Sequence, residues 1–241
     1  MARDAVLFSG GLVLKRSMDF TLAGLFLTFT LPLILIAAVL IELETGDSAI
    51  FVQRRMGRGF KTFRLWKLRT MRSGRVGSSI TLGADPRITR VGGWLRRFKV
   101  DELPQLWNVM RGDMSLVGSR PVIPELAEEF EADYVRLLAA RPGLTDPSTL
   151  KYCRETELME LVSDPLDYFK RVIMPDKLRL SLAYLKCATF RSDIGVLMRT
   201  AIALLPSESP LLTVQPGMEL ILVVKPKIDD SIVGGLRAVG L

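Results

Sequence analysis

Two adjacent carboxylates in a basic stretch are the residues best suited to chemistry in this sequence. Asp101 and Glu102 have cationic side chains on both sides, namely Arg96, Arg97, Lys99, Arg111 and Arg120. The chain contains no histidine, so Ser-His-Asp, Cys-His and histidine kinase mechanisms are excluded, and Asp, Glu, Lys, Tyr or water must move any proton. Attack of a carboxylate on phosphorus suits this set, because arginines and Mg²⁺ would offset the developing negative charge. A nucleoside monophosphate leaving group departs as a stable anion and needs no strong acid.

The local structure of the two carboxylates is predicted from Pro104. Proline is favoured in the first helical turn, so a helix is expected to begin near Asp101, with this residue at or near the N-cap. The helix N-terminus and the arginines predict a low pKa for Asp101, which favours a nucleophile over a general base. The alternative is a capping aspartate beside an exposed glutamate.

Three cationic residues are candidate phosphate ligands. Arg120 lies in "SLVGSRPVIPE", where Gly118 and two prolines restrict the backbone and would aim the guanidinium fork at phosphate oxygens. Lys67 and Arg69 alternate along a predicted strand and therefore share a face. The alternatives are a surface arginine beside a turn and a solvated strand face.

The composition indicates a folded chain with an anionic partner. The 241 residues allow one sizeable domain, with or without an appendage. A net charge of +7 indicates nucleic acid, anionic lipid or a phosphorylated metabolite, and a mean hydropathy of +0.27 favours a membrane. Cys153 and Cys187 cannot form a disulfide framework or a four-ligand zinc site without histidine. We interpret them as reduced, buried and structural.

An apolar run from Phe20 to Ile41 is long enough to enter a bilayer, whose core needs roughly 20 apolar residues. Pro32 in its middle predicts a kink. Basic residues prefer the cytoplasmic side, and both flanks are basic: Lys15 and Arg16 before the run, and Arg54, Arg55, Arg58, Lys61, Arg64, Lys67, Arg69 and Arg72 after it. We therefore predict a re-entrant helix that enters and leaves by one face. A spanning helix and a cleaved signal peptide are the alternatives.

The predicted fold class is α/β, mostly helical with a small β element. It comprises a membrane-embedded re-entrant helix and a cytosolic catalytic domain. Two strands are predicted in "SAIFVQRRMG" and "FKTFRLWKLRTM", joined by a turn at Gly57–Gly59. Helices are predicted in "RVGGWLRRF", over residues 124–140, and once or twice within residues 164–204. The predicted domains are residues 1–45, a catalytic domain over residues 46–204, and a tail of unknown role over residues 205–241.

The order of these segments resembles the monotopic phosphoglycosyl transferases, the bacterial sugar transferases of glycan assembly. The resemblance covers Lys15 to Leu204 and rests on "FRLWKLRTM", "DPRITRVGGWLRRFKVDELPQLWNVMRGDMSLVGSRP" and "RPGLT". It implies transfer of a phospho-sugar from a UDP-sugar to polyprenol phosphate, in bacteria undecaprenol phosphate. The implied products are a polyprenol diphosphosugar and UMP, made with Mg²⁺ through a covalent aspartyl intermediate.

The resemblance also implies roles for individual residues. Asp101 would be the nucleophile and Glu102 its neighbour in the dyad, and both are expected to hold the metal. Orientation of Asp101 and activation of the acceptor phosphate are alternative roles for Glu102. The phosphate-binding residues would be Arg120, Lys67, Arg69, Arg96 and Arg141. Pro32 would mark the kink of a re-entrant helix in the bacterial inner membrane, with the catalytic domain on the cytoplasmic face. A homodimer through the apolar tail is an open expectation.

The sequence departs from the family pattern at three places. Ser119 replaces the first proline of the family's G-P-R-P. Thr30-Leu31-Pro32 stands where the family usually has Ser-Pro. The hydroxyl that could hydrogen-bond to the backbone group freed by the proline must therefore come from Thr30 or from another residue. "DPSTLKY" follows "RPGLT" in place of "GWAQVNG", which leaves the sugar pocket undefined.

Two other functions compete with catalysis. A non-catalytic, membrane-associated scaffold of a glycan-assembly complex is compatible with the basic charge. Nucleic-acid binding is disfavoured, because the basic residues cluster next to the apolar run and no recognition-helix or RRM signature is present.

Overall fold

A long N-terminal helix and a small α/β domain form the described part of the chain. The computed structural model describes residues 2–73, 85–153, 155–159 and 161–203, with side chains from Val13 onward except those of residues 156 and 157. The elements are α1 (Ala2–Thr45), β1 (Ile50–Met56), β2 (Thr62–Leu68), α2 (Arg90–Arg97), α3 (Gln105–Arg111), β3 (Ser115–Val117), α4 (Pro124–Glu129), α5 (Glu131–Leu137), β4 (Gly143–Thr145), α6 (Pro147–Lys151), α7 (Glu155–Met159), α8 (Pro165–Tyr168), α9 (Met174–Cys187) and α10 (Phe190–Ala203). The mostly helical class with a small β element is confirmed.

The hairpin of β1 and β2 confirms the two predicted strands and their turn. The strands are antiparallel, with Arg55 opposite Phe63 and Phe51 opposite Lys67. Residues paired in this way point to the same side of a hairpin. Leu65 on this side is buried in the core, so the face that carries Arg55 and Lys67 is turned toward the domain.

Strands β3 and β4 form a parallel pair, and Gly118, directly after β3, closely approaches Gly143 of β4. Gly118 donates to the carbonyl of Thr145 at 3.0 Å, and a Cβ on Gly143 would lie 2.1 Å from the nitrogen of Gly118. Only glycine fits this approach of two backbones. The carbonyl of Ser119 accepts from the amide of Gly143 at 2.8 Å. The backbone that leads into Arg120 is therefore held despite the missing proline.

The side-chain amide of Asn108 joins α3 to β2. Its Nδ2 donates to the carbonyl of Arg64 at 2.7 Å, and its Oδ1 accepts from the amide of Trp66 at 3.1 Å. The amide thus pairs with β2 as a neighbouring strand would. Asn108 is fully buried, so this contact holds the segment that follows the carboxylates against the hairpin.

Helix α1 packs along the domain over most of its length. Ala23, Ile34, Ala37 and Ile41 form its buried stripe, and their spacing places them on one helical face. Large apolar side chains elsewhere on the helix are exposed: Phe20, Leu25, Phe26, Phe29, Leu31, Leu33, Leu35, Ile36, Val39, Leu40 and Leu43. Between Val13 and Thr45, α1 is long and apolar enough to cross a membrane, and it is the one such helix among the described residues.

Polar contacts attach both ends of α1 to the same domain. Near the N-terminal end, Lys15 pairs with Asp193 of α10, and the carboxylate of Asp19 accepts from the hydroxyl of Ser115 at 2.7 Å. Near the C-terminal end, the carboxylate of Glu44 accepts from the amides of Arg90 and Val91 at 2.8 and 2.9 Å. These two amides belong to the first turn of α2, whose N–H groups have no partner within the helix.

Pro32 lies inside α1 and does not separate two helices. Proline removes one backbone hydrogen bond and leaves free the carbonyl four residues earlier, here that of Thr28. The hydroxyl of Thr30 donates to the carbonyl of Phe26 at 2.7 Å. Thr30 therefore does not satisfy the freed carbonyl. The helix is instead stabilised by packing against the domain on both sides of the proline, at Ala23 and at Ile34.

Other sequence predictions need correction. The helix expected over residues 124–140 divides at Phe130, whose φ of −116° and ψ of 39° are not helical. Both cysteines were expected to be buried, but Cys153 and Cys187 are exposed at the ends of α6 and α9. The tail over residues 205–241 lies outside the described residues, as does most of the loop between β2 and α2.

Candidate active site

Asp101 and Glu102 lie in a short 3₁₀ turn that connects α2 to α3. The turn spans Val100–Glu102 and follows Lys99, whose φ of 56° reverses the chain direction. Helix α3 begins only at Gln105. The prediction that Asp101 caps this helix is therefore wrong, because the tight turn places the residue before the helix and buries its side chain against the domain.

Glu102 forms an ion pair with Arg120. The Nη2 of Arg120 donates to Oε1 of Glu102, and the carboxylate is mostly buried while the guanidinium reaches solvent. The charge of Arg120 and its hydrogen bond outweigh the effect of burial and lower the pKa of Glu102. Glu102 is therefore an anion at neutral pH and orients Arg120 toward the turn.

Asp101 differs from Glu102 in having an unsatisfied oxygen. It is 7% exposed, and its Oδ1 has no hydrogen-bond partner in the described part of the chain. Burial and the neighbouring charge of Glu102 raise its pKa, against the opposite effects of Lys99, Lys67 and Arg96. The expected low pKa is thus wrong, because the loss of water around this carboxylate outweighs its cationic neighbours.

Lys67 and Arg96 face the same two carboxylates. Lys67 on β2 lies 5.2 Å above the ring of Phe51, and its charge interacts with those of Asp101 and Glu102. Burial is the main cause that lowers its pKa to about 8. The Nε of Arg96 donates to the hydroxyl of Thr70 at 2.8 Å, which holds its charge near Asp101.

Arg69 does not direct its guanidinium at this site. Its Nε donates to the carbonyl of Ser48 at 2.6 Å and its Nη1 to the hydroxyl of Ser73 at 2.6 Å. The Cζ of Arg69 lies 5.8 Å from the centroid of the Phe51 ring, over which Lys67 also lies. The two side chains therefore share one face of the hairpin, as predicted. The guanidinium instead joins the segment before β1 to the segment after β2, both at the open end of the hairpin.

Arg141 lies beside the end of α3. Its Nε donates to the carbonyl of Gly112 at 2.8 Å, and its charged neighbours are Arg16, Arg58 and Asp19. A cation at a helix C-terminus satisfies free carbonyls and complements the helix dipole. In this arrangement Arg141 supports the helix after the carboxylates and does not face them.

Arg55 is a site residue that the sequence did not single out. Its charge interacts with those of Arg120, Glu102 and Lys67. The sequence carried one usable signal, since Arg55 and Lys67 lie in two predicted strands. Which residues of these strands share a face depends on the register, and the sequence did not supply it.

The carboxylates are compatible with a magnesium site that the substrate completes. Within residues 2–73, 85–153, 155–159 and 161–203, no group of three or more His, Cys, Asp or Glu side chains could hold a metal ion. Mg²⁺ commonly takes one or two protein carboxylates, with substrate phosphates and water as the remaining ligands. The unpartnered Oδ1 of Asp101 and the adjacent carboxylate of Glu102 fit that donor set.

Comparison with protein families identifies the chain. A family model described as bacterial sugar transferase matches residues 11–207. The chain belongs to the bacterial sugar transferase family. The matched region of this sugar transferase includes α1 from residue 11 onward, the hairpin, the turn of Asp101 and Glu102, and helices α9 and α10.

Curated relatives agree with this family. A Caulobacter vibrioides protein, UDP-glucose:undecaprenyl-phosphate glucose-1-phosphate transferase, is 36% identical over 201 residues, which cover 81% of this chain and 71% of the relative. A Bacillus subtilis protein, provisionally named undecaprenyl-phosphate N-acetylgalactosaminyl 1-phosphate transferase, is 45% identical over 122 residues, 50% of this chain and 68% of the relative. Undecaprenyl-phosphate glucose phosphotransferase of Komagataeibacter xylinus is 35% identical over 195 residues, 77% of this chain and 35% of the relative.

The resemblance inferred from the sequence is confirmed, and this sugar transferase is a phosphoglycosyl transferase.

Proposed function

We propose that this sugar transferase moves a phospho-sugar from a UDP-sugar to polyprenol phosphate, giving a polyprenol diphosphosugar and UMP. Undecaprenol phosphate is the acceptor that we propose, because the relatives above are named for it. One relative is also named for UDP-glucose, which supports a UDP-sugar donor. We place the reaction at the first membrane step of bacterial glycan assembly.

The Oδ1 of buried Asp101, which has no hydrogen-bond partner among the described residues, is the observation that carries this proposal. In the first half-reaction this oxygen attacks the phosphorus that bears the sugar. The bond from that phosphorus to the bridging oxygen breaks, and UMP leaves with the electron pair. In the second, an oxygen of polyprenol phosphate attacks the same phosphorus, and the bond to Asp101 breaks and restores the carboxylate.

The neighbouring charges have separate tasks in this proposal. The Glu102–Arg120 pair presents a guanidinium beside the nucleophile, where its fork matches phosphate oxygens. Lys67 and Arg96 add positive charge close to Asp101. These groups offset the charge that develops on the phosphoryl oxygens, in a setting where burial strengthens electrostatic interactions.

Asp101 and Glu102 are the residues that we propose hold Mg²⁺, together with oxygens of the diphosphate. The ion supplies further positive charge to the phosphoryl oxygens when it is bound. The chain's own part is to present two carboxylates side by side in one turn.

We further propose that α1 enters and leaves the bilayer on the cytoplasmic face. The part of α1 from Val13 to Thr45 would be about 50 Å long, and its uncharged run from Phe20 to Ile41 would be about 33 Å long, close to a hydrocarbon core of about 30 Å. Both of its ends bind the same domain through Lys15 and Glu44. A helix held in this way cannot carry one end across the membrane while the domain stays in water. The exposed apolar residues of α1 would contact lipid, and polyprenol phosphate would reach the site from that surface.

Intact mass spectrometry tests the covalent route. The full chain, held in detergent or nanodiscs, is incubated with Mg²⁺ and a panel of UDP-sugars without polyprenol phosphate. We expect a mass gain equal to one phospho-sugar in the wild type and none in Asp101→Asn. The sugar that gives the gain identifies the donor, which the structure does not define.

The other outcomes separate the alternatives. UMP release without a mass gain, seen only after polyprenol phosphate is added, indicates direct transfer or a short-lived intermediate. Failure of every UDP-sugar to yield either a mass gain or UMP contradicts this reaction and favours a scaffold. Mass measurement of the nanodisc complex also reports whether the transferase is a homodimer.

A further inference from the structure

Arg55 lies beside the carboxylates and has no role in the reaction described above. Its Nη2 donates to Oε1 of Gln53 at 2.8 Å, and its Nη1 to the carbonyl of Pro121 at 3.4 Å. Its Nε is buried and has no hydrogen-bond partner among the described residues. A buried donor without an acceptor is costly, so an acceptor oxygen placed against this atom would lower the free energy of the site.

The backbone places Arg55 next to the loop that carries Arg120. The amide of Met56 donates to the carbonyl of Val122 at 2.8 Å, which joins the end of β1 to that loop. Burial and the charge of Arg120 lower the pKa of Arg55 to about 10. Two guanidiniums therefore lie close enough to repel each other, with Glu102 as the carboxylate they share.

Charged groups of both signs surround Arg55: Arg120 and Lys67 repel its charge, and Glu102 and Glu125 attract it. Lys67 is also a charged neighbour of Arg55, so three cationic side chains converge on one edge of the carboxylate turn. Like charges packed together raise the energy of the free protein, and an anion between them removes that penalty. A diphosphate has the charge and the several acceptor oxygens that this arrangement lacks.

We propose that Arg55 is a further phosphate-binding residue, whose free Nε–H contacts the diphosphate of the donor alongside Arg120. The proposal rests on the proposed function in assuming a nucleotide-diphosphate donor. The planar fork of arginine suits phosphate oxygens, whereas lysine presents only a point charge. Arg55 would therefore contribute geometry as well as charge.

Binding measurements on the full chain in nanodiscs test this role independently of turnover. The probes are UDP, uridine and inorganic pyrophosphate, with wild type, Arg55→Gln and Arg55→Lys. A hydrogen bond to a charged group predicts that Arg55→Gln weakens UDP and pyrophosphate binding about ten- to a hundredfold. Uridine binding should stay unchanged, and Arg55→Lys should lose less than Arg55→Gln.

Arg54→Gln is the matched control, because Arg54 is exposed and adjacent on the same strand. It should bind all three probes as wild type does. Unchanged pyrophosphate and UDP binding in Arg55→Gln overturns the proposal, as does an equal loss for uridine or absence of pyrophosphate binding in the wild type. UMP release from UDP-sugars is scored separately. A wild type that binds pyrophosphate through Arg55 but releases no UMP refutes the proposed reaction and leaves the assignment of Arg55 standing.

Discussion

The 3₁₀ turn Val100–Glu102 and the N-terminus of α6 each contain a buried aspartate, but the two side chains differ in their hydrogen bonds. Asp146 is fully buried, and its Oδ1 accepts at 2.8 Å from the hydroxyl of Ser148 and from the amide and hydroxyl of Thr149. Its Oδ2 accepts from the hydroxyl of Ser181. Asp101 is also buried, but its Oδ1 accepts no hydrogen bond among the described residues.

This difference distinguishes a structural carboxylate from a reactive one. Hydrogen bonds compensate for burying Asp146, so its role is to join α6 to α9. Asp19 and Asp193 follow the same pattern, since both of their carboxylate oxygens have partners. The Oδ1 of Asp101 has no such compensation among the described residues, and burial raises the pKa of this carboxylate. An unsatisfied buried oxygen was therefore a better guide to the site than burial alone.

The largest expected effect is the loss of turnover in Asp101→Asn. We expect UMP release to fall at least about a thousandfold, because the amide cannot act as the nucleophile. The melting temperature should be unchanged or higher, since the substitution removes a poorly solvated charge next to Glu102. Wild-type-like turnover in this variant would exclude Asp101 as the nucleophile.

Asp146→Ala should show the opposite behaviour. We expect a loss of about 2–4 kcal/mol in the free energy of unfolding, from the missing cap of α6 and the unpaired hydroxyls. Activity per folded molecule should remain close to wild type. The measurement is thermal or denaturant unfolding in the same detergent, alongside UMP release. A stable but inactive Asp146→Ala would place this carboxylate in the active site and contradict its structural role.

The pH dependence of activity should report the ionisation of Asp101 and Lys67. Asp101 must be ionised to attack. Because its pKa is raised, activity should fall on acidification at a higher pH than expected for an ordinary carboxylate. Lys67 must be protonated to offset phosphate charge, and its pKa of about 8 predicts a decline above that pH, approaching tenfold per unit. Lys67→Arg retains its charge, so its alkaline limb should move upward. An unmoved limb would assign the decline to another group.

The smallest effects are expected for Arg69 and Arg141, whose guanidiniums bond to backbone or hydroxyl groups away from the carboxylates. In Arg69→Gln and Arg141→Gln we expect the KM for the UDP-sugar to change by no more than about threefold. Stability should fall by about 1 kcal/mol for each lost hydrogen bond. Steady-state kinetics of both variants provide the check. A tenfold or larger rise in KM would return either residue to the phosphate site.

Much of the local structure was predictable from sequence, because it depends on nearby residues. Alternating polarity and a glycine turn identified the hairpin of β1 and β2, and helix periodicity identified α2, α9 and α10. Errors arose where a turn or packing decided the outcome. The single helix predicted over residues 124–140 divides at Phe130, and the expected N-cap at Asp101 is a 3₁₀ turn.

The site was predictable only in part, because its members come from distant segments. Asp101, Glu102 and Arg120 were evident from their motifs. Arg55 was missed because its place near Arg120 depends on β1 meeting a loop 66 residues away. Arg141 was expected among the phosphate ligands from its motif, yet its contacts place it at the end of α3.

The amino-acid sequence alone was enough to identify the family, the carboxylate pair and an apolar segment that suits a membrane. Each of the three is recognised from short stretches of consecutive residues, without knowledge of how the chain folds. Only the tertiary structure could set the electrostatics of the site. Desolvation and long-range contacts raise the pKa of Asp101, lower that of Glu102 through Arg120, and bring Arg55 beside Lys67. Those effects depend on which atoms exclude water from one another, and that arrangement exists only after the chain has folded.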